Sequence, residues 1–416
     1  MLKLSHLAAA AALCAATSMS HAGNVEVLHY WTSGGEAKSA AELKKMVESK
    51  GNVWKDFAVA GGGGENAMTV LKSRAVSGNP PAAAQVKGPA IQEWANEGML
   101  ANMDAVAKAE KWDSLLPKVV ADVMKNKGNY VAAPVNVHRV NWMWANPDVL
   151  KKAGVAGMPK TWDEFFVAAD KIKASGAIAV AHGGQNWQDF TVFESVALGV
   201  GGAKYYTDAF VKLDPTALNS ATTTKVLETF RKVKSYTDSA SSGRDWNLTT
   251  AMLIQGKAGF QFMGDWAKGE FTAAGKKPGT GFLCAAAPGT ANAYTFNIDS
   301  FIMFKLKDAG AQKAQADLAS AILSTDFQEV FNQNKGSIPV RLGHNMSKFD
   351  DCAKLSAKDF VDTSKTGGLV PSVAHGMAVK PAAAGALQDV VTQFWNDDKV
   401  SVADAQKKIV MAAATK

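Results

Sequence analysis

Cysteine is scarce in this chain: 416 residues carry three, at Cys14, Cys284 and Cys352. No C-x-x-C, H-E-x-x-H or G-x-S-x-G occurs, which removes the usual sequence grounds for a redox dithiol, a zincin or a serine hydrolase elbow. The glycine run Gly61–Gly64 in "AGGGGEN" lacks the Gly-Lys-Ser/Thr ending of a phosphate loop and fails G-x-G-x-x-G. It is read as a tight turn that lets backbone approach a neighbour. Past the first two dozen residues no stretch nears the roughly 18 uncharged apolar residues of a membrane span. Basic residues outnumber acidic by 45 to 38, but they are dispersed. No basic block interleaves with aromatics, so nucleic acid is not an expected partner. No period of 20 to 50 residues repeats, and neither a metal nor a cofactor is expected.

What is present begins with a leader. "MLKLSHLAAAAALCAATSMSHA" has a lysine, an Ala/Leu run and a small-residue end at Ser20-His21-Ala22, the pattern of a cleaved secretory signal over residues 1–22. Export to the periplasm follows as an expectation. Cys14 lies within the apolar run without the small residue a lipid-anchored leader places before its cysteine. That leaves Cys284 and Cys352, an isolated pair in an oxidising compartment, expected to form a structural disulfide. With 47% hydrophobic residues the chain has core enough for two or three domains.

Strand-like and helix-like segments alternate along the chain. "NVEVLHYW" precedes the amphipathic "EAKSAAELKKMVESKG", and "VWKDFAVA" precedes "ENAMTVLKSRAVSG". This is α/β architecture, expected with largely parallel sheets, in which ligands bind beyond the carboxyl ends of strands. Several strand ends carry chemistry: Tyr30, Trp31 and Glu36 in "HYWTSGGE", Gln85 and Lys87 in "AAAQVKGP", Trp266 in "FMGDWAKGEF", and Asn297 with Asp299 in "YTFNIDSF". Lys335 closes a helical run in "QNKGSIPVR", and His375 lies in a loop-like "PSVAHGMA".

Aromatic faces, amides, two carboxylates, two lysines and a histidine suit a sugar. Pyranose C–H faces pack on rings, and hydroxyls both donate and accept, each charged hydrogen bond contributing roughly 1.5–3 kcal/mol. Plainer roles stand beside this. Trp31 and Trp266 also fit a core, and Glu36 also fits the positive end of a helix dipole. Lys87 and Lys335 fit a solvated surface, and His375 an ordinary loop. Trp142 and Trp144 alternate as core strand residues do, Trp162 reads as packing at a helix start, and His138 as a buried structural histidine. Glu36 with Asp299 also matches the two-carboxylate requirement of a glycoside hydrolase.

Taken in order, "HYWTSGGE", "PVNVHRVNWMWANPDVLKKAGVAGMPKTWDEF", "FMGDWAKGEF", "YTFNIDSF" and "QNKGSIPVR" resemble the periplasmic glucose-binding proteins of Gram-negative bacteria. These are large sugar receptors of ABC transporters in the extracellular solute-binding protein family 1. The resemblance covers essentially the whole chain after the leader. It implies a type II periplasmic binding protein fold: two discontinuous α/β lobes joined by a multi-strand hinge. One lobe would hold 23–133 and 293–340, the other 134–292 and 341–416. It implies a monomeric, non-enzymatic receptor that delivers a monosaccharide, glucose foremost, to a membrane permease; galactose, mannose or a disaccharide are the alternatives. Sugar contacts would fall on Tyr30, Trp31, Glu36, Gln85, Lys87, Trp266, Asn297, Asp299, Lys335 and His375. Where family members often carry a second tryptophan, this chain has Tyr30.

Overall fold

A computed structural model describes residues 23–415; the expected leader, with Cys14, lies outside the described residues. Two sheets organise the chain. The first has five strands in the order Val53–Ala58, Asn24–His29, Ala83–Gln85, Ser300–Met303, Ala132–Pro134. The second has four, in the order Leu283–Ala286, Trp142–Ala145, Ala258–Phe262, Ile178–Val180. A three-stranded sheet (Leu369–Pro371, Tyr294–Asn297, His138–Arg139) links them, His138–Arg139 and Tyr294–Asn297 falling in sequence between strands of the two. The chain runs from Ala132–Pro134 through His138–Arg139 into Trp142–Ala145, and returns from Tyr294–Asn297 into Ser300–Met303.

The sheets are mixed, where the alternation pattern predicts largely parallel ones. Asn24–His29 pairs in parallel with both its neighbours, as β–α crossovers require. Ser300–Met303, which re-enters through the linking sheet, pairs antiparallel with Ala83–Gln85 and with Ala132–Pro134. Crossing strands arrive without a covering helix of their own, so nothing forces them to run parallel.

Each sheet carries its own core. Val25, Val27, Leu43, Leu71, Phe301, Ile302, Leu318 and Phe331 are fully buried about the first; Phe165, Phe190, Phe193, Phe260 and Leu387 are fully buried about the second. The segment "WMWA" shows how period-two alternation sorts side chains. Met143 and Ala145 face the second core, while Trp142 and Trp144 join a third cluster with Phe271 and Phe282. The two tryptophans are core residues, 1% and 0% exposed. Trp162, first residue of the helix Trp162–Ala174, packs on Phe165 and Phe262. The helix Asp351–Thr366 straddles the division: Ala353 and Phe360 pack with the first core, and Cys352 with the third cluster. Among the described residues no helix is long and apolar enough to cross a membrane.

Cys284 and Cys352 are joined, with Cα atoms 6.2 Å apart and a separation of 68 in sequence. The bond ties the four-stranded sheet to the straddling helix. Closing a loop of this length restricts the unfolded chain by up to about 4 kcal/mol. Replacing both cysteines with serine is expected to lower the unfolding free energy by up to that amount. Urea denaturation with and without reductant checks this, the serine variant being insensitive to reductant.

Candidate functional site

Between the two sheets, Tyr30, Trp31, Glu36, Lys87, Trp266, Asn297, Asp299, Lys335 and His375 line one narrow cavity of about 20 Å³. That is room for little more than one water, so a larger ligand enters only as the walls part. Strand ends deliver most of these groups. Tyr30 and Trp31 follow Asn24–His29, Lys87 follows Ala83–Gln85, Asn297 ends its strand, and Asp299 directly precedes Ser300–Met303. Trp266 immediately precedes the short helix Ala267–Ala273. Lys335 is the last residue of the helix Thr325–Lys335, which stops at Gly336 in the left-handed region, φ 92°.

Gln85 is the one residue of the expected set that does not line the cavity. It is fully buried and sits behind the wall, where its Oε1 accepts the Tyr30 N–H at 3.2 Å and its Nε2 donates to Asp299 Oδ1 at 3.3 Å. It holds two lining residues in place. Trp31 is mostly a core residue with one side on the cavity: it packs edge-on against Phe301 and obliquely on Phe331 and is 2% exposed.

Four lining residues fall outside the expected set: Gly62, His138, Trp187 and Trp246. His138 is buried, as its sequence context suggests, but it is more than structural. Its two ring nitrogens meet Asp265 and Asp299, the latter at 2.9 Å. Burial pushes the imidazole pKa down, but the two carboxylates outweigh that and raise it. Trp187 and Trp246 open the helices that follow Gln185 and Asp245. A Cβ on Gly62 would lie 3.0 Å from Trp246 and 3.2 Å from Trp187, so the glycine run does approach a neighbour, and that neighbour is the opposite wall of the cavity.

The charges fall into a paired set and an unpaired one. Lys335 Nζ donates to Glu36 Oε1 at 2.6 Å, and Ser33 N–H reaches Glu36 Oε2 at 3.5 Å. Glu36 therefore serves both its helix start and the site. Burial alone would raise the Asp299 pKa; the His138 charge and hydrogen bond, then Lys335 and Lys87, hold it far below the usual carboxylate range. Lys87 has no carboxylate partner among the described residues, its Nζ standing 5.5 Å from the Tyr30 ring centre, and burial draws its pKa down. Asn297 Oδ1 is buried and, among the described residues, accepts no hydrogen bond. Burial, then the charges of Lys87 and His138, push the His375 pKa well below its ordinary value, so this imidazole is neutral and offers one donor and one acceptor. Among the described residues no three His, Cys, Asp or Glu side chains gather as a metal site would need.

Residues 50–327 match the family described as "Bacterial extracellular solute-binding protein". The chain belongs to that family. This solute-binding protein is 49% identical over 389 residues to a "Probable sugar-binding periplasmic protein" of Brucella melitensis, covering 94% of this chain and 91% of the relative. It is 49% identical over 391 residues to a protein of the same description from Rhizobium meliloti, covering 94% of each. Among solved structures a chitin oligosaccharide binding protein superposes with TM-score 0.81 at 17% identity, over 94% of this chain and 98% of that one. That likeness fixes the two-lobed α/β fold.

Proposed function

We propose that this solute-binding protein captures one monosaccharide, glucose foremost, between its lobes in the periplasm and presents it, as a monomer, to the permease of an ABC transporter. The observation that carries the reading is the pair of unmet groups in a cavity walled by tryptophans: among the described residues Lys87 has no carboxylate partner and Asn297 Oδ1 accepts no hydrogen bond. A sugar hydroxyl both donates and accepts, so ring hydroxyls can satisfy both. The names of the relatives point the same way. The lobes we assign are 23–133 with 293–340, and 134–292 with 341–416; the helix Asp351–Thr366 bridges them through Ala353, Phe360 and Cys352.

Receptor chemistry fits the carboxylates better than hydrolysis does. A glycosidase needs one carboxyl that keeps its proton near neutrality. Asp299 is held ionised by His138, and Glu36 is engaged by Lys335 at 2.6 Å.

Calorimetric titration against glucose, galactose, mannose and maltose tests the assignment. Glucose is expected to bind tightest, at micromolar or better, and Trp266→Ala to weaken it by more than about 1 kcal/mol through loss of ring packing. Binding no tighter than millimolar for every sugar overturns the substrate class. Tighter binding of maltose overturns the monosaccharide reading.

A further inference from the structure

The helix Asn186–Tyr206 carries a buried acid outside the cavity. Glu194 is 1% exposed, and among the described residues no cation pairs with it. Its carboxylate instead gathers the loop after Leu369–Pro371. Oε1 accepts the Ser372 hydroxyl at 2.6 Å, and Oε2 accepts the N–H groups of Val373 and Ala374 at 2.9 and 3.3 Å. The Tyr206 hydroxyl donates to Oε2 at 2.9 Å. The Ser372 hydroxyl oxygen then accepts the N–H of His375 at 3.1 Å. One turn earlier on the same helix, Thr191 Oγ1 lies 3.3 Å from His375 Nε2. His375 reaches the cavity wall, its ring 4.7 Å from that of Trp266.

We propose that Glu194 is a positioning residue of the sugar site: its ionised carboxylate fixes the loop that presents His375, and protonation of that carboxylate loosens sugar binding. The inference rests on the reading above that His375 faces the sugar. An ionised carboxylate only accepts, which is what four converging donors need. A proton on Oε2 would face two backbone N–H groups and the Tyr206 hydroxyl. A proton on Oε1 would face the Ser372 hydroxyl and compel it to turn its own hydrogen elsewhere. Either way one donor loses its partner, and the loop that carries His375 loses an anchor.

The titration lies in reach. Burial pushes the Glu194 carboxyl up to about 7, against the lowering effect of Ser372, Tyr206 and the loop N–H groups. The other titratable group in contact with it is Tyr206, which burial and Glu194 itself push far above neutrality. Of the packed helices, Pro381–Asn396 turns Asp389 toward Asn186. The helix Ala221–Lys234 commits Arg231 to Phe394 O, Lys232 to the Phe166 ring and Lys234 to Asp398. Because the folded-state value is raised, the folded protein keeps a proton that the unfolded chain has already lost above its ordinary carboxyl value. This group's contribution to stability therefore falls as pH rises toward 7. Sugar affinity moves the opposite way, rising as the anchoring carboxylate forms. A residue that merely stabilises the fold would not produce that opposition.

Glucose titrations at pH 6, 7 and 8, with thermal unfolding of the sugar-free protein, test this on the full chain. Wild type is expected to bind about three- to tenfold tighter at pH 8 than at pH 6. Glu194→Gln is expected to flatten the difference and to bind about tenfold weaker at pH 8, the effect of losing one charged anchor. Glu194→Asp is expected to restore part of the slope. Ser372→Ala, which cuts the link to His375 without removing the acid, is expected to weaken binding at pH 8 by at least threefold, and it decides the matter if Glu194→Gln does not fold. A wild type that binds glucose with a flat profile, a Glu194→Gln protein with wild-type affinity and slope, or an unaffected Ser372→Ala overturns the role of Glu194 alone. Absence of binding by wild type to every sugar in the panel overturns the site reading, and this inference with it.

Discussion

Asp299→Ala is expected to cause the largest loss of any single side-chain truncation in the cavity: about 100-fold in sugar affinity and about 3–5 kcal/mol in stability. The carboxylate is 3% exposed and is held from three directions. Gln85 Nε2 donates to Oδ1 at 3.3 Å, and Asn136 Nδ2 and His138 Nε2 reach Oδ2 at 3.2 and 2.9 Å. These partners come from the end of a central strand and from the segment that leads toward the other sheet. His138 continues the chain of contacts to Asp265, whose Oδ2 accepts the Arg139 N–H at 2.9 Å. Removing Asp299 leaves His138, whose pKa the two carboxylates raise, beside a single buried carboxylate and leaves the Gln85 amide without its acceptor, and a buried pair broken on one side is costlier than a pair never built.

The effect should persist across pH. With its pKa held far below the usual range by His138, Asp299 contributes stability that is fully present above the ordinary carboxyl value and is lost only as pH falls below it. The ionisation of Asp299 itself therefore gives wild type and variant a constant margin between pH 5 and 8, measured by urea unfolding, and loss of its support for the His138 proton narrows that margin as pH rises. Calorimetry supplies the affinity. A variant with wild-type affinity would make Asp299 a scaffold residue only.

How far the cavity could be read from sequence follows from what kind of signal each residue sends. Lys87, Asn297, Asp299 and Lys335 stand at element ends in an α/β pattern, where local order alone points to a ligand face. Trp187 and Trp246 send no such signal. Each opens a helix behind a polar residue, "QNWQDF" and "RDWNLT", and so does Trp162 in "KTWDEF". Yet the first two wall the cavity and the third packs on Phe165 and Phe262. Nothing local separates them, because what decides is which sheet face the helix covers, a tertiary fact. His138 was legible as buried but not as a lining residue, since its neighbours Asp265 and Asp299 lie 127 and 161 residues away. The mixed strand directions were hidden for a related reason: alternation of strands and helices is local, whereas the antiparallel partners of Ser300–Met303 are set by where the chain crosses back.

Gly35→Ala is expected to weaken sugar affinity by about 5- to 150-fold, the equivalent of 1–3 kcal/mol of overpacking, without lowering the stability of the sugar-free protein. Gly35 is the second residue of the helix Gly34–Ser49, a place where alanine is at least as good a helix former. The obstacle lies across the cleft. An added Cβ would come within 2.9 Å of the backbone carbon of Gly269 and 3.1 Å of its oxygen, and backbone cannot swing aside as a side-chain tip can. The same seam is joined by Glu270, whose Oε1 accepts the Gly35 N–H at 2.9 Å, a carboxylate set at the positive end of the opposing helix. Gly88 meets Gly376 on another side, where a Cβ would fall 2.2 Å from the Gly376 oxygen. Gly88, however, has a φ of 53°, so alanine there would strain the backbone even with the lobes apart. Gly35 is free of that ambiguity. If the lobes swing open without sugar, the clash exists only in the closed state. The methyl group then acts on the open–closed equilibrium, and a ligand can move that equilibrium only by its differential affinity for the two states. Small-angle scattering with saturating glucose should show wild type contracting and Gly35→Ala contracting less, while thermal unfolding of the two sugar-free proteins coincides. Loss of stability in the sugar-free variant would mean that the lobes already press together at Gly35 without a ligand, and unchanged affinity would mean that the seam yields at no cost.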